Sequence, residues 1–384
     1  MFNQLYNNSG NLLFDLDTLY FYFCIVIISF ILGELSQKST LVCKINSTIT
    51  LRPKHKVNYF WLFLFFFILI LVSGLRDVGT DLPVYRNIFI DSNSKYSGDY
   101  QNEPGFILFN SIIRYFVDSA NVAIFLFSFL SFYFIYKTIE YYSTSIDISI
   151  AFLALTTMFY FQGFNLLRIY LVAYFLCYKF KLLIEGKTLL YIIIVTFCIA
   201  FHYSSILMLL PCSFYVLYKY NKQLFKIGVF IFVIGLFCIL PYLSVLNVFA
   251  RYTSYLEESM SSNSPFGIAQ LIYHLPIWLM IIFLKRRKYD SVCLDLLIVY
   301  SIFSFIYGCL GYVILMIGRV SIYFMVIYVI LIPKLLHEMK IRRDKYYYKI
   351  KFAIIIYLMF RCHLYFKEYL FLDSIMPYKM IESL

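Results

Sequence analysis

The loop after the second apolar run holds the densest group of polar side chains that could do chemistry. Two arginines, two aspartates and a tyrosine fall within eleven residues: Arg76, Asp77, Asp81, Tyr85 and Arg86. Guanidinium groups bind phosphate oxygens through paired donors, and an aspartate can take a proton from a hydroxyl. The loop therefore predicts an anion-binding site with a general base. A solvated interface loop with a tyrosine anchor is the alternative.

Three further arginines belong to the same predicted site. Arg168 and Arg319 lie just inside the ends of apolar runs, and Arg251 opens a polar loop. An arginine toward the middle of a bilayer costs about 2.5–3.5 kcal/mol, so it normally faces protein or water and has a partner. We predict that Arg168 is catalytic and that Arg251, Arg319 and the nearby Tyr323 bind substrate with Arg76, Tyr85 and Arg86. Snorkelling to the interface is the alternative.

His202 stands in a short break between two apolar runs, within Phe201-His202-Tyr203-Ser204. An imidazole titrates near neutral pH, which suits proton transfer. Asp81 and His202 are both candidates for the general base, and the residues alone do not choose between them. A histidine that hydrogen-bonds at a helix end is the other interpretation of His202.

No metal or cofactor is predicted. Asp15-Leu16-Asp17 spells a DxD, a pattern that binds metal in some sugar transferases, but so short a match is common. The nine cysteines are scattered through apolar runs without metal or redox spacing. The chain has no glycine-rich phosphate loop, so a nucleotide substrate is not expected.

The element that must position these residues is a membrane bundle. The chain has 384 residues, of which 62% are hydrophobic and only 14% charged, whereas soluble domains are roughly a quarter charged. A crossing needs about 20 residues. We predict an all-α integral membrane protein, a single polytopic domain over 1–384 with about twelve helices (ten to thirteen). Their approximate positions are 18–35, 57–75, 119–138, 146–161, 165–184, 188–200, 204–219, 226–248, 266–284, 292–309, 317–336 and 349–366.

The basic residues predict the orientation of this bundle. With twelve crossings, 23 of the 33 lysines and arginines fall on one side, which the positive-inside rule makes the cytoplasm. The net charge of +12 is thus a topology signal, and no nucleic-acid partner is expected. Seven of the other ten basic residues are arginines, so the outer face is the predicted working face. An external loop over 76–118 would include an amphipathic, interfacial helix at Pro104–Tyr115.

Five motifs follow one another along the chain. An Arg…Gly-Thr-Asp…Tyr loop is followed by an acidic residue before Gly-Phe, by Phe-Asn…Arg, by Phe-His-x-Ser, and by a late Arg…Tyr-Phe. Their residues are Arg76, Gly79, Thr80, Asp81 and Tyr85; Glu103, Gly105 and Phe106; Phe164, Asn165 and Arg168; Phe201, His202 and Ser204; and Arg319, Tyr323 and Phe324. These motifs, in this order, resemble the EpsG-like branch of the Wzy-type bacterial polysaccharide polymerases. The resemblance spans residues 57–335, and the first loop and the Phe-His step are its most specific parts. The chain departs from the pattern at Ile169, where a polar residue is expected.

The resemblance implies a transferase that joins repeat units of a surface polysaccharide at the outer face of the cytoplasmic membrane. Its substrate would be an undecaprenyl-diphosphate-linked oligosaccharide, and a chain-length regulator protein is a candidate partner. A lipid flippase or other transporter would instead place charges near mid-membrane, on broken and repeated helices. A ligase that moves finished chains and a membrane O-acyltransferase are the remaining alternatives.

Overall fold

The computed structural model of the protein describes residues 15–41, 53–91, 103–239, 268–312, 315–370 and 373–381. They divide into two compact units: unit 1 consists of Met1–Tyr178, Ala200–His202 and Tyr328–Leu384, and unit 2 of Lys179–Ile199 and Tyr203–Ile327. The described part of unit 1 has nine α-helices: α1 (Leu16–Ser36), α2 (Tyr59–Gly74), α3 (Leu82–Asp91), α4 (Pro104–Phe116), α5 (Ala120–Tyr142), α6 (Ile148–Leu155), α7 (Leu167–Lys179), α15 (Tyr328–Ile341) and α16 (Tyr347–Glu368).

The described part of unit 2 is also helical. Its helices are α8 (Lys181–Ile184), α9 (Thr188–Cys198), α10 (Leu209–Tyr220), α11 (Lys222–Ile239), α12 (Ile268–Arg286), α13 (Ser291–Leu310) and α14 (Leu315–Met325). A 3-10 turn at Tyr203–Met208 leads into α10. In unit 1, a π-turn at Thr156–Tyr160 and a 3-10 turn at Gln162–Phe164 connect α6 to α7.

The predicted helical fold is confirmed, whereas the count of twelve crossings stays a prediction. In the described ranges, four segments are long and apolar enough to cross a membrane: Leu16–Ser36, Ala120–Tyr142, Val292–Leu310 and Gly318–Ile341. Tyr59–Gly74, Ile148–Tyr160 and Thr188–Cys198 are shorter apolar helices. The amphipathic segment forms α4, which begins at Pro104 and buries Phe106, Asn110 and Ile113. Its external position is likewise a prediction.

A short antiparallel hairpin lies in the basic loop between α1 and α2. Strand β1 (Gln37–Leu41) pairs with β2 (Pro53–Val57), with Gln37 opposite Val57 and Leu41 opposite Pro53. The basic residues of this stretch predict membrane orientation but no strands. The intervening residues 42–52 lie outside the described part of the chain.

Aspartate and asparagine side chains cap several apolar helices. Asp15 accepts a hydrogen bond from the Thr18 amide at the start of α1, and Asp290 accepts one from the Val292 amide at the start of α13. Such caps satisfy backbone donors that have no partner within the helix. The first aspartate of the DxD pattern thus has a structural role.

An ion network around the buried Asp147 joins α1, the start of α6 and α16. The fully buried carboxylate of Asp147 lies 3.0 Å from Lys351 Nζ, and the same amine lies 2.8 Å from Glu34. The hydroxyls of Ser149 and Tyr347 donate to Asp147. Because charges buried in a membrane protein are costly unless paired, this network locks the three helices together at one end of unit 1.

The segment 373–381, here called the tail strap, follows α16 and pairs with the loop between α2 and α3. The Ile381 amide donates to the Leu75 carbonyl at 2.9 Å, and the Asp77 amide donates to the Lys379 carbonyl at 2.8 Å. Arg76 and Met380 form the antiparallel bridge between these bonds. The loop that contains Arg76, Asp77 and Asp81 is therefore held by the backbone of the tail strap.

Candidate functional site

Gly105 brings a distant part of the chain beside the start of α4. Its amide donates to the carbonyl of Ala200 at 2.8 Å. A Cβ at this position would lie 3.0 Å from that carbonyl oxygen and 3.0 Å from the Phe201 ring, tighter than ordinary packing. Glycine thus permits the link Ala200–His202 to approach α4, and that approach places His202 next to Glu103.

Glu103 joins Arg168 and His202 in one cluster. One carboxylate oxygen accepts a hydrogen bond from Arg168 Nη1, and the other lies 2.7 Å from His202 Nδ1. The side chains of the three residues are 10%, 19% and 16% exposed, respectively. The cluster is therefore mostly shielded from solvent but still reachable from it.

The electrostatics of the cluster fix how its protons are arranged. Burial raises the pKa of Glu103, but the hydrogen bond and charge of His202 and the charge of Arg168 outweigh it, so the pKa of Glu103 lies below its ordinary value. Glu103 is then ionised at neutral pH and can only accept hydrogen bonds. His202 Nδ1 therefore donates the proton of that contact, and Nε2 can accept a proton whenever the ring is in its neutral form.

Aromatic and other apolar side chains pack against Arg168. Arg168 stacks over the rings of Phe106 at 5.3 Å and Tyr85 at 5.7 Å. Both aromatic residues belong to a buried group formed with other apolar side chains, including Leu167 and Leu171. Aromatic faces attract a guanidinium and exclude water from one side of it, so Arg168 is oriented by packing as well as by Glu103.

Tyr85 extends from α3 into this group. Burial raises the pKa of its hydroxyl, while the charge of Arg168 acts in the opposite direction. Asp81 is half-buried, and its carbonyl accepts from the Tyr85 amide at 3.1 Å. The negative charge of the Asp81 carboxylate also raises the pKa of Tyr85. Asp81, the other candidate for the general base, therefore interacts electrostatically with the Tyr85 hydroxyl.

Arg76, predicted to bind substrate, is 1% exposed and faces inward. Its Nη2 donates to the Phe164 carbonyl at 2.6 Å, its Nη1 donates to the Ser73 carbonyl, and its guanidinium stacks over the Phe164 ring at 5.0 Å. Burial lowers the pKa of Arg76 to about 10, so the group stays charged at neutral pH. This geometry favours a brace between α2 and the Phe164 turn over a contact with substrate.

Position 79, in the loop between α2 and α3, requires a glycine. Its φ is +124°, a conformation that L-residues rarely adopt. A Cβ there would lie 2.6 Å from the Asn165 side-chain oxygen. Arg86, on α3, donates to the Asp77 carboxylate at 2.7 Å and to the Asn121 side-chain oxygen at 3.0 Å, and it is less buried than Arg76.

The remaining predicted site residues belong to unit 2 or lie outside the described residues. Arg319 is half-buried on α14. Tyr323, on the same helix, is fully buried, and its hydroxyl accepts from Ser204 at 3.4 Å. Arg251 lies outside the described residues, so its substrate-binding role stays a prediction.

Glu103 is not among the residues predicted for the site, although the sequence places this acidic residue directly before Pro104-Gly105, in one of the five motifs. As for metal, no group of three His, Cys, Asp or Glu side chains converges within the described ranges. The cluster itself offers two such side chains, and they contact each other.

Comparison with known proteins identifies the chain by family alone. Neither the curated proteins nor the solved structures include one that matches it. The family model for the EpsG family matches residues 58–380, which includes the cluster and all but the last residue of the tail strap. The match covers most of the chain, and the apolar helices agree with a protein of the membrane. The chain belongs to the EpsG family, a family of Wzy-like polysaccharide polymerases.

Proposed function

We propose that the protein joins lipid-diphosphate-linked oligosaccharide repeat units, with undecaprenyl as the lipid, into a surface polysaccharide at the outer face of the cytoplasmic membrane. The observation that carries this proposal is the Glu103–Arg168–His202 cluster. It brings together residues from three separate motifs and combines a proton acceptor with a positive charge.

The chemistry follows from the needs of glycosyl transfer. The hydroxyl of the acceptor sugar attacks the anomeric carbon of the donor, and the bond from that carbon to the lipid diphosphate breaks. His202 Nε2 takes the hydroxyl proton, while Glu103 holds the ring and stabilises the imidazolium that forms. The diphosphate leaves with the bonding electron pair, and the positive charge of Arg168 stabilises it.

Arg86 is proposed to hold the saccharide or its diphosphate, whereas the substrate-binding roles of Arg319 and Tyr323 stay predictions. Arg86 is exposed enough to turn from Asp77 toward an anion. No nucleotide is needed, because the lipid diphosphate already activates the sugar.

The function is tested by deleting the gene from its host and measuring the size of the surface polysaccharide. We expect the loss of long chains with single repeat units retained, and recovery on return of the wild-type gene. The loss of every transferred unit would instead indicate a flippase or a ligase. Unchanged long chains would contradict the proposal outright.

The outer position of the site is tested by cysteine labelling in a variant without native cysteines. Cysteine at Asp118, which is 90% exposed and follows α4, should react with a membrane-impermeant thiol reagent in intact cells. Cysteine at the exposed Arg286, which ends α12, should react only after the membrane is opened. The reverse pattern would place the cluster at the cytoplasmic face and overturn the orientation.

A further inference from the structure

The tail strap supplies hydrogen-bond partners to most of the Gly-Thr-Asp loop. The strap makes backbone hydrogen bonds to Leu75 and Asp77, as described above. In addition, the Gly79 amide donates to the Ser374 carbonyl at 3.0 Å, and the Thr80 amide donates to the Asp373 carbonyl at 3.1 Å. An irregular loop beside a membrane needs such partners, because unpaired buried backbone groups are costly. The conformation of the loop thus depends on a segment almost 300 residues further along the chain.

Three tyrosines hold the tail strap against unit 1. Each hydroxyl makes a hydrogen bond to or from the strap: Tyr22 donates to the Ile375 carbonyl at 2.6 Å, Tyr365 to the Asp373 carboxylate at 2.6 Å, and Tyr378 to the Val72 carbonyl at 2.8 Å. The Tyr378 amide also donates to Thr18 at 2.8 Å. The strap is therefore fixed to α1, α2 and α16 independently of the loop that it holds.

Asp373 is the point where two site motifs meet. Its carbonyl accepts from the Thr80 amide and also, at 3.0 Å, from the Asn165 side chain. Thr80 lies two residues before α3, which carries Tyr85, and Asn165 lies two residues before α7, which carries Arg168. One carbonyl oxygen thus ties together the starts of the two helices whose side chains stack at the cluster.

We propose that Asp373 is a positioning residue for the transferase site and that the tail strap sets α3 and α7 relative to each other. This inference rests on the proposed function. The Tyr365 hydroxyl holds the Asp373 side chain, and so fixes the direction of its carbonyl. Without that anchor, Arg168 would shift against Glu103, and a displacement of about 1 Å of a reacting group can cost about a hundredfold in rate.

The first test compares Asp373→Ala with Asp373→Asn, in membranes from a host that makes the lipid-linked repeat unit but lacks this protein. We expect the alanine variant to lower kcat at least about tenfold with little change in KM. The asparagine variant keeps an acceptor for Tyr365 and should recover most of the rate. Lys379→Ala is the matched control, because the Lys379 side chain is exposed and only its carbonyl is used.

A second test isolates one backbone hydrogen bond and covers the case in which Asp373→Ala does not fold. Ile381→Pro removes the amide that donates to Leu75, whereas Ile381→Ala keeps it. We expect the proline variant to lose activity per folded molecule and the alanine variant to keep it. Normal kcat in folded Asp373→Ala or in Ile381→Pro would overturn the positioning role. Glu103→Gln distinguishes the two ways in which this result could arise. If Glu103→Gln were fully active as well, both the strap proposal and the proposed function would be wrong. If Glu103→Gln were inactive, only the strap proposal would be wrong.

Discussion

Glu103→Gln should lower chain elongation by about a hundredfold or more while the protein remains folded and abundant. The amide has nearly the shape of the carboxylate but no charge, so the imidazolium formed at His202 loses its stabilising partner. One side of the amide also presents a donor, and Arg168 and His202 both need an acceptor. The measurement is the rate of polymer formation per folded molecule from the lipid-linked repeat unit.

Two comparisons make this result specific. Glu140→Gln removes a carboxylate that pairs with Lys137 at 2.7 Å on α5, away from the cluster, and should behave as wild type. His202→Gln should match the loss in Glu103→Gln, and the double variant should be little worse than either, because the two residues act as a unit. If Asp81→Asn stops elongation while His202→Gln does not, the base is Asp81 and the mechanism proposed here is wrong.

The helices were predictable because their signal is local. An apolar run of about 20 residues indicates a membrane helix by itself, whatever the rest of the chain contains. The hairpin between Gln37 and Val57 was not predictable in the same way. Its basic side chains report only the side of the membrane, and its pairing depends on a register that alternating hydrophobicity does not mark here.

The site was only partly predictable because its contacts are non-local. Arg168 and His202 were chosen for their residue types, and the structure brings both to Glu103. Glu103 belongs to one of the motifs, but nothing near it in the sequence shows what its carboxylate contacts. Its partners are 65 and 99 residues away, and the approach depends on the absence of a side chain at Gly105.

Arg76 shows the limit of reasoning from residue type. A guanidinium that grips a diphosphate and one that braces two backbone carbonyls use the same donors, and only burial separates them. Arg76 donates to the Ser73 and Phe164 carbonyls, while the Arg168 guanidinium borders a cluster that solvent still reaches. The partners of the tail strap are unpredictable for a related reason, because a short irregular segment after a helix carries no pattern that indicates what it contacts.

Arg76→Lys should therefore lower the stability of the fold, whereas a change at the cluster should lower the rate of the folded protein. A lysine amine cannot reach both the Ser73 and the Phe164 carbonyls in the geometry of the guanidinium. Leaving one of these buried acceptors unpaired costs about 1–3 kcal/mol. We expect a lower melting temperature and less protein in the membrane, with activity lost in proportion to the protein.

Arg168→Lys should lower elongation by about a hundredfold or more at normal protein abundance, with single lipid-linked repeat units accumulating. Lysine keeps the charge and the long apolar stem, so an arginine that only snorkels would tolerate the change. It loses the planar group that stacks on Phe106 and Tyr85 while donating to Glu103. The removal of one preorganised donor at a site of developing charge costs about 2.7–4 kcal/mol. Arg114→Lys is the matched control, because Arg114, half-buried on α4, pairs with the exposed Asp118 and donates to the Phe89 carbonyl at 3.3 Å, and neither partner belongs to the cluster. Normal polymer from folded Arg168→Lys would make this arginine an anchor and remove it from the mechanism.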